Sequence, residues 1–349
     1  VKSDHPQRQA DGSARRLATR VSPGRLLLAA TDLYTALVIL YLIAHTLTGD
    51  RLWPVALLAF LAHWLLLPGF VLVPALLLAR QRWRAALAGV SVVAFLALFG
   101  GLFLPKVPAP TAACPPDECV PLTAMTYNLL INATDPDALV GMLRDSGADI
   151  VALQELSPSR ADLLERELAA TYPHRVLYDL GISGVGLLSR HPILEHETFY
   201  LQAQAHPYLR ATLDVEGVPL TVIVAHPPPP GRIGRTIRIY PGVPLEIASV
   251  SEMAASGGPT LLLGDFNMTD QNDMYRTIRR AGLRDAFREA GWGLGLTYPR
   301  RLLRYESFPL LMRIDYIFYT GDFEATRAWV GPDAGADHLP VLAELVWRR

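Results

Sequence analysis

Two short strings, Gly264-Asp265-Phe266-Asn267 and Asp337-His338, bring two carboxylates, an amide and an imidazole into the polar half of this chain. On extended backbone, Asp265 and Asn267 are two residues apart and point to one side, while Phe266 turns to the other. Both polar groups can then face one phosphate. Carboxylates offer hard oxygen ligands to a divalent cation, and an imidazole can move a proton near neutral pH. With Asn128 of Thr126-Tyr127-Asn128, Glu155 of Gln154-Glu155 and Asp315 of Arg313-Ile314-Asp315-Tyr316, the chemistry open to these groups is metal-assisted hydrolysis of a phosphoester. Glu155 ends the apolar run Ile150-Val151-Ala152-Leu153, which would deliver its carboxylate to the rim of a sheet. It is the first choice of metal ligand. Taken singly the strings are weaker: Gly-Asp-Phe-Asn could be a turn whose side chains cap backbone amides, and Glu155 could be an exposed residue at a helix start.

These residues need a scaffold, and the 229 residues from 121 to 349 are enough for one two-layer core. The pattern predicts strands over 122–130, 149–153, 175–178, 184–189, 209–215, 220–225, 260–263, 313–319, 326–330 and 341–347. Glu216-Gly217-Val218-Pro219 reads as the turn of a hairpin. Helices are expected after Asp135-Pro136-Asp137, from Ser157 or Ser159 to Ala169, and over 275–281 and 284–289. Hairpins mixed with helical connections favour an α/β sandwich of two mainly antiparallel sheets flanked by helices over a doubly wound parallel sheet.

In order and spacing these motifs resemble the endonuclease/exonuclease/phosphatase superfamily, over nearly all of 123–347, which implies a deoxyribonuclease-like fold and a divalent-metal-dependent hydrolase acting on phosphoric esters. The resemblance implies that Asp265 orients or deprotonates the attacking water and that Asn267 hydrogen-bonds the water or a phosphoryl oxygen. It implies a pairing of His338 with Asp315, in which the carboxylate fixes the imidazole tautomer and raises its pKa. Either His338 or Asp265 could then take the proton of the water. His226, in Ala225-His226-Pro227, matches the family's other active-site histidine and could protonate the leaving oxygen. Glu155 and Asp337 would hold the ion, Mg²⁺ or alternatively Mn²⁺, with Asn128 as amide ligand or as a partner behind the ligands. Arg210 matches the position where related nucleases set an arginine against phosphate. Arg313 is open to a structural ion pair.

The first hundred residues have another character. The whole chain is 51% hydrophobic with a mean hydropathy of +0.23, too apolar for an ordinary soluble enzyme, yet 19% charged. Apolar runs at 26–47, 53–79 and 85–104 are each long enough to cross about 30 Å of hydrocarbon. They predict a three-helix transmembrane anchor over 26–104, the second helix broken near Pro68-Gly69 and Pro74. Lys2, Arg8, Arg15, Arg16, Arg20 and Arg25 precede the first run, and Arg80, Arg82 and Arg84 lie between the second and third. The positive-inside tendency then makes 1–25 a cytoplasmic tail and places 121–349 outside the cell membrane. Uncleaved anchoring is expected, since the first run is longer than a signal-peptide core. Asp32, His45 and His63 within the runs raise the alternative of a transport path, but Asp32 and His45 lie near the helix ends, where interfacial water or a neighbouring helix is expected to satisfy them. A Pro-rich linker over 105–120 carries both cysteines, Cys114 and Cys119, and a short disulfide fits an oxidising exterior.

The segment 121–349 has 21 Arg and no Lys against 27 Asp and Glu, a formal net of −6. Nucleic acid is therefore the less favoured partner. Arg232, Arg235 and Arg238, and Arg300, Arg301 and Arg304, form local basic clusters that suit either a solvated rim or a phosphate-bearing headgroup. A tether also raises the effective concentration of lipid-borne phosphates. Three helices followed by this fold look like bacterial membrane proteins associated with teicoplanin resistance, which suggests a lipid-linked phosphate as substrate. The alternatives are an extracytoplasmic nuclease and a catalytically degenerate binding module. No protein partner is evident.

Overall fold

The structure, a computed structural model, describes residues 22–106, 119–202, 206–233, 236–301 and 307–348. The basic residues before Arg25, Cys114 and Arg304 lie outside them.

Helix α1 (Pro23–Thr48) begins where Ser22 caps Arg25 N–H and Pro23 takes the first position. It is followed by α2 (Trp53–Phe60), α3 (Ala62–Leu66), α4 (Gly69–Leu78) and α5 (Arg82–Phe99). Among the described residues α1 and α5 are long and apolar enough to cross a membrane. The second run is interrupted at Leu67-Pro68, between α3 and α4, as expected, and a sharper bend of 83° that was not expected falls after Phe60. Near the bend, polar groups from the other half of the chain take up helix carbonyls: Thr269 Oγ1 donates to Ala59 O at 3.1 Å and Asn272 Nδ2 to Ala56 O at 3.3 Å. Asp32 meets Arg84 at 2.8 Å, His45 donates to Gln271 O at 2.9 Å and His63 to Leu311 O at 2.8 Å, so all three polar residues of the helices have partners.

The remainder is a sandwich with helices outside. Its elements in chain order are β1 (Cys119–Ile131), α6 (Pro136–Asp145), β2 (Ile150–Leu156), α7 (Pro158–Glu167), β3 (His174–Tyr178), β4 (Val185–Ser189), β5 (Ile193–Phe199), β6 (Tyr208–Val215) and β7 (Val218–Ala225). Then follow the hairpin β8 (Gly231–Ile233) and β9 (Thr236–Arg238), α8 (Val243–Ser256), β10 (Thr260–Asp265), α9 (Asp273–Arg280), β11 (Arg284–Asp285), α10 (Ala286–Ala290), β12 (Asp315–Tyr319), β13 (Phe323–Val330) and β14 (Val341–Arg348). One sheet runs β13-β14-β1-β2-β4-β3, the other β11-β12-β10-β7-β6-β5. Neighbours are antiparallel except β1 with β2 and β7 with β10, so each sheet is mixed, with its single parallel pair at its centre.

Strand periodicity explains the layers. In β1, Val120, Leu122 and Ala124 face the inter-sheet core, while Met125, Tyr127 and Leu129 pack beneath α6 and α7. In β7, Leu220, Val222 and Val224 point inward and Ile223 and Ala225 lie under α8 and α9. Truncating a fully buried member such as Leu263 to Ala would cost about 2–5 kcal/mol. The segment expected to be helical over 284–289 begins as β11, because Arg284 and Asp285 pair with β12; Asp285 then caps α10, accepting from Phe287 and Arg288 N–H. Cys119 is disulfide-bonded.

Candidate active site

The two parallel pairs end at the same rim, and there the sheets exchange side chains. Asn128 comes from β1 and Glu155 from β2, His226 follows β7, Asp265 ends β10, and Asp315 opens β12. Asp337 and His338 arrive on the loop before β14. Local backbone serves this convergence. Gly264 has φ +156°, and a Cβ there would collide with the backbone of Ala225 on the paired strand, so β10 and β7 can approach only with glycine at that position. Glu155 and Asn267 both adopt positive φ, 54° and 49°. Such backbone is costly for residues with a side chain and is held where it aims one.

Asn128 is a cross-link: its Nδ2 donates to Glu155 Oε1 at 3.2 Å and to Asp265 Oδ2 at 3.0 Å, while its oxygen accepts Leu130 N–H. It thereby joins the two sheets. Asp265 Oδ1 accepts Asn267 N–H at 2.9 Å, and Asn267 Nδ2 donates to Pro227 O at 3.1 Å, tying this turn to the exit of β7. Phe266 is fully buried against Tyr316 and Phe318, on the side opposite to the two polar groups. His226 Nε2 lies 3.7 Å from Asp265 and 3.9 Å from Glu155. His338 Nδ1 is 2.9 Å from Asp315 Oδ2, with its Nε2 3.6 Å from Asp265 Oδ2 and 4.0 Å from Asp337 Oδ1.

The electrostatics divide the two histidines. Burial opposes charge on His338, but Asp315 and Asp265 outweigh it and push its pKa up to about 10. Burial, followed by the charges of His206 and His338, drives His226 well below the ordinary imidazole value. One ring is therefore a cation and the other neutral at pH 7. Burial raises Asp265 to about 7 against the pull of His338. Burial also raises Glu155 and Asp337; the Asn128 hydrogen bond opposes the shift of Glu155 and the charge of His338 that of Asp337.

Two carboxylate oxygens decide whether a cation fits. Glu155 Oε2 and Asp337 Oδ1 are both buried without a hydrogen-bond partner, which leaves each with acceptor capacity that an ion could take. Asp265, Asp315 and His338 also bring donor atoms within 4.8 Å of one another, but there Asp315 already takes the His338 ring nitrogen. The hard oxygens of Glu155 and Asp337 fit a divalent ion better, with Asn128 orienting the glutamate.

Arg210 is not brought to the cluster. It shares the parity of Tyr208 on β6, points away from the inter-sheet core, and pairs with Glu197 at 2.5 Å across the β5 edge. Arg313 makes a buried two-pronged pair with Asp285 at 2.9 and 3.0 Å, and lies away from His338. Two neighbours were not foreseen. Tyr298 packs against His338 with ring centroids 4.7 Å apart and planes inclined at 44°, and its pKa is raised by burial and by the charges of Asp337, Asp265 and Glu155. His206 packs against His226 at the same spacing, inclined at 50°. A histidine before proline at a strand start was the available signal for His206; Tyr298 had none.

Residues 125–338 match the sequence profile of the Endonuclease/Exonuclease/phosphatase family. Among solved structures, an endonuclease/exonuclease/phosphatase from Beutenbergia cavernae DSM 12333 superposes with TM-score 0.52 at 23% identity, covering 65% of this chain and 72% of the other. One from Bacteroides vulgatus gives 0.52 at 19% identity, over 65% and 98%. D. rerio TDP2 complexed with single strand DNA product gives 0.51 at 17% identity, over 64% and 98%. At these identities the likeness is one of fold. No curated protein matches the chain.

Proposed function

Because the chain belongs to the endonuclease/exonuclease/phosphatase family, we propose that it is a membrane-anchored, divalent-metal-dependent phosphoesterase acting on a lipid-associated phosphate at the outer membrane face. One observation carries the lipid reading. The loops on both sides of the catalytic cluster rest on the bent apolar helix: Thr269, two residues beyond Asn267, binds Ala59 O, and Leu311 O accepts from both His63 and Trp64. Leu311 and Met312 in turn bond to Tyr298, whose ring lies on His338. The site thus sits beside the segment that would meet the bilayer, where a lipid-borne phosphate is concentrated.

Glu155 and Asp337 would hold the metal, which when bound supplies charge neutralisation for the phosphoryl oxygens. The chain's own groups account for the rest. Asp265, held by Asn128 and the Asn267 amide, orients a water and accepts its proton. The His338 cation stabilises the negative charge that builds on phosphorus-bound oxygen and carries a proton for the leaving oxygen, with Asp315 fixing its tautomer. Neutral His226 fills the far side of Asp265 and keeps that carboxylate from pairing with a second cation.

Full-length protein in detergent, assayed for product release from a polyprenyl diphosphate, a phospholipid and single-stranded DNA, with and without EDTA, tests this reading. Lipid turnover abolished by EDTA and restored by Mg²⁺ is expected. DNA turnover alone would replace it with the nuclease reading, and turnover of none would leave a binding module.

A further inference from the structure

Behind the catalytic cluster lies a cavity of about 660 Å³ whose walls include His206, Pro228, Pro229, Tyr240, Val243 and Glu246. It adjoins the site directly. The His206 and His226 rings are in contact, centroids 4.7 Å apart and inclined at 50°, and His206 Nδ1 donates to His226 O at 3.0 Å. A carbonyl only accepts, so Nδ1 carries the ring's hydrogen. Burial pushes His206 below the ordinary imidazole value, the ring is neutral, and Nε2 is left as an acceptor. On the opposite wall, Glu246 of α8 is 3% exposed and its Oε2 accepts the Tyr208 hydroxyl at 3.3 Å. Burial raises its pKa against the Tyr208 hydrogen bond, and its oxygens are free to accept from hydroxyl groups. Neither residue has a part in the catalysis described above.

The wall chemistry selects a ligand. Among the described residues, no cationic side chain lines the cavity. A long alkyl chain would leave the His206 acceptor unpaired and the Glu246 carboxylate with the Tyr208 hydroxyl alone, a cost of about 1–3 kcal/mol each. A neutral group rich in hydroxyls satisfies both, and its C–H faces can lie on Tyr240, Pro228 and Pro229. We propose that this cavity is a leaving-group subsite for a neutral polyhydroxylated unit, a polyol or glycosyl group esterified to the phosphate. The inference rests on the phosphoesterase reading. In the reaction a water oxygen bonds to phosphorus, the bond from phosphorus to the polyol oxygen breaks, and the polyol departs with a proton while the phosphate stays on its other substituent. The hairpin of β8 and β9 between Pro230 and Tyr240 packs against α2, which keeps this subsite next to the apolar helices.

Three substrates test it on full-length protein in detergent: phosphatidylglycerol, phosphatidylethanol, which has the same lipid but no hydroxyls, and glycerophosphoglycerol, which has the polyol but no lipid. The expected kcat/KM ratio of phosphatidylglycerol to phosphatidylethanol is on the order of 100, as a site built to pair hydroxyls rejects an analogue without them. Glu246→Leu should bring that ratio below about 5, and Glu246→Gln, which keeps an accepting oxygen, should keep most of it. Turnover of glycerophosphoglycerol at a rate comparable to phosphatidylglycerol would assign the polyol to a soluble ester; slow turnover would assign it to a lipid headgroup. A ratio near 1 in the parent protein, or an equal fall for both lipids in Glu246→Leu with Glu246→Gln unchanged, overturns the subsite. If the parent protein hydrolyses the polyprenyl diphosphate but none of these three, the subsite falls and the phosphoesterase stands; if it hydrolyses no phosphoester, both fall.

Discussion

Asp265 and Asp315 stand directly opposite each other in the antiparallel register of β10 and β12, and the His338 ring touches both, 2.9 Å from Asp315 and 3.6 Å from Asp265. Two facing carboxylates would repel across the ladder. The imidazolium relieves that repulsion, so the residue that carries the proton also makes the strand pairing tolerable.

Asp315→Asn should therefore lower the His338 pKa from about 10 toward the ordinary imidazole value near 6.5. The sign of the pH dependence follows. In the parent protein the competent state, with Asp265 ionised and His338 charged, grows as pH rises through about 7 and declines through about 10. In the variant the alkaline limb should move down by more than one pH unit, with kcat at pH 8 reduced about 10²- to 10⁴-fold. A pH–rate profile checks this, and an unmoved alkaline limb would assign the proton to another group.

Glu155→Gln keeps the shape of the side chain and removes its charge. Because Glu155 Oε2 and Asp337 Oδ1 are among the buried carboxylate oxygens without hydrogen-bond partners, as is Asp315 Oδ1, Mg²⁺ or Mn²⁺ affinity measured by calorimetry should fall on the order of 100-fold, while thermal stability without metal should hold or rise as repulsion with Asp337 is relieved. Unchanged affinity would shift the ion to Asp265, Asp315 and His338.

Arg313 and Asp285 form a buried pair away from the catalytic cluster. Burial alone would raise Asp285, but the Arg313 charge and hydrogen bonds hold its pKa below the ordinary carboxylate value. A depressed folded-state pKa contributes stability that is present above the unfolded value near 3.9 and is lost as pH falls through the folded one. Asp285→Asn should remove up to about 3–5 kcal/mol at pH 7 by leaving Arg313 buried with only Asp270, 3.8 Å away, as counterion, and that deficit should shrink below pH 4. Chemical unfolding at pH 7 and pH 3.5 measures both.

How far the chain could be read without coordinates follows from the range of the forces involved. Asp135 and Ser157 cap helices as their local sequence indicates, because a cap is decided within four residues. Asp265, Asn267, Glu155 and His338 were legible because strand ends deliver them, and strand ends show as apolar runs. Strand β5 was not foreseen because it is an edge strand, exposed along Leu194 to Glu197 and too polar to show a buried face. Helix α8 was missed although its apolar face is buried, since Pro244 near its start reads as a breaker unless its first-turn position is known. Arg210 failed for another reason: spacing gives a residue's strand, but its parity relative to the sheet depends on register.

The contact between the helices and the sandwich makes the last expectation, and it separates an anchor from a mere tether. Asp50, just after α1, and Asp273, at the start of α9, exchange hydrogen bonds: Asp50 N–H donates to Asp273 Oδ2 at 2.7 Å and Asp273 N–H to Asp50 Oδ2 at 2.6 Å. Asn272 Nδ2 adds a bond to Asp50 Oδ1 at 3.2 Å. Asp50→Ala deletes two of the three and leaves the Asp273 amide unpaired at a partly buried junction, while Asn272 keeps its bond to Ala56 O, a loss of about 1–3 kcal/mol. Since this junction continues through Thr269 into the Asp265 turn, the helices hold the rim of the catalytic site in place. In Asp50→Ala, kcat/KM for a lipid substrate in detergent should fall at least about 10-fold, while that for a small soluble phosphodiester should change by less than about threefold. Equal losses on both would mean that the junction sets the catalytic geometry itself, and no loss on either would mean that the helices only tether.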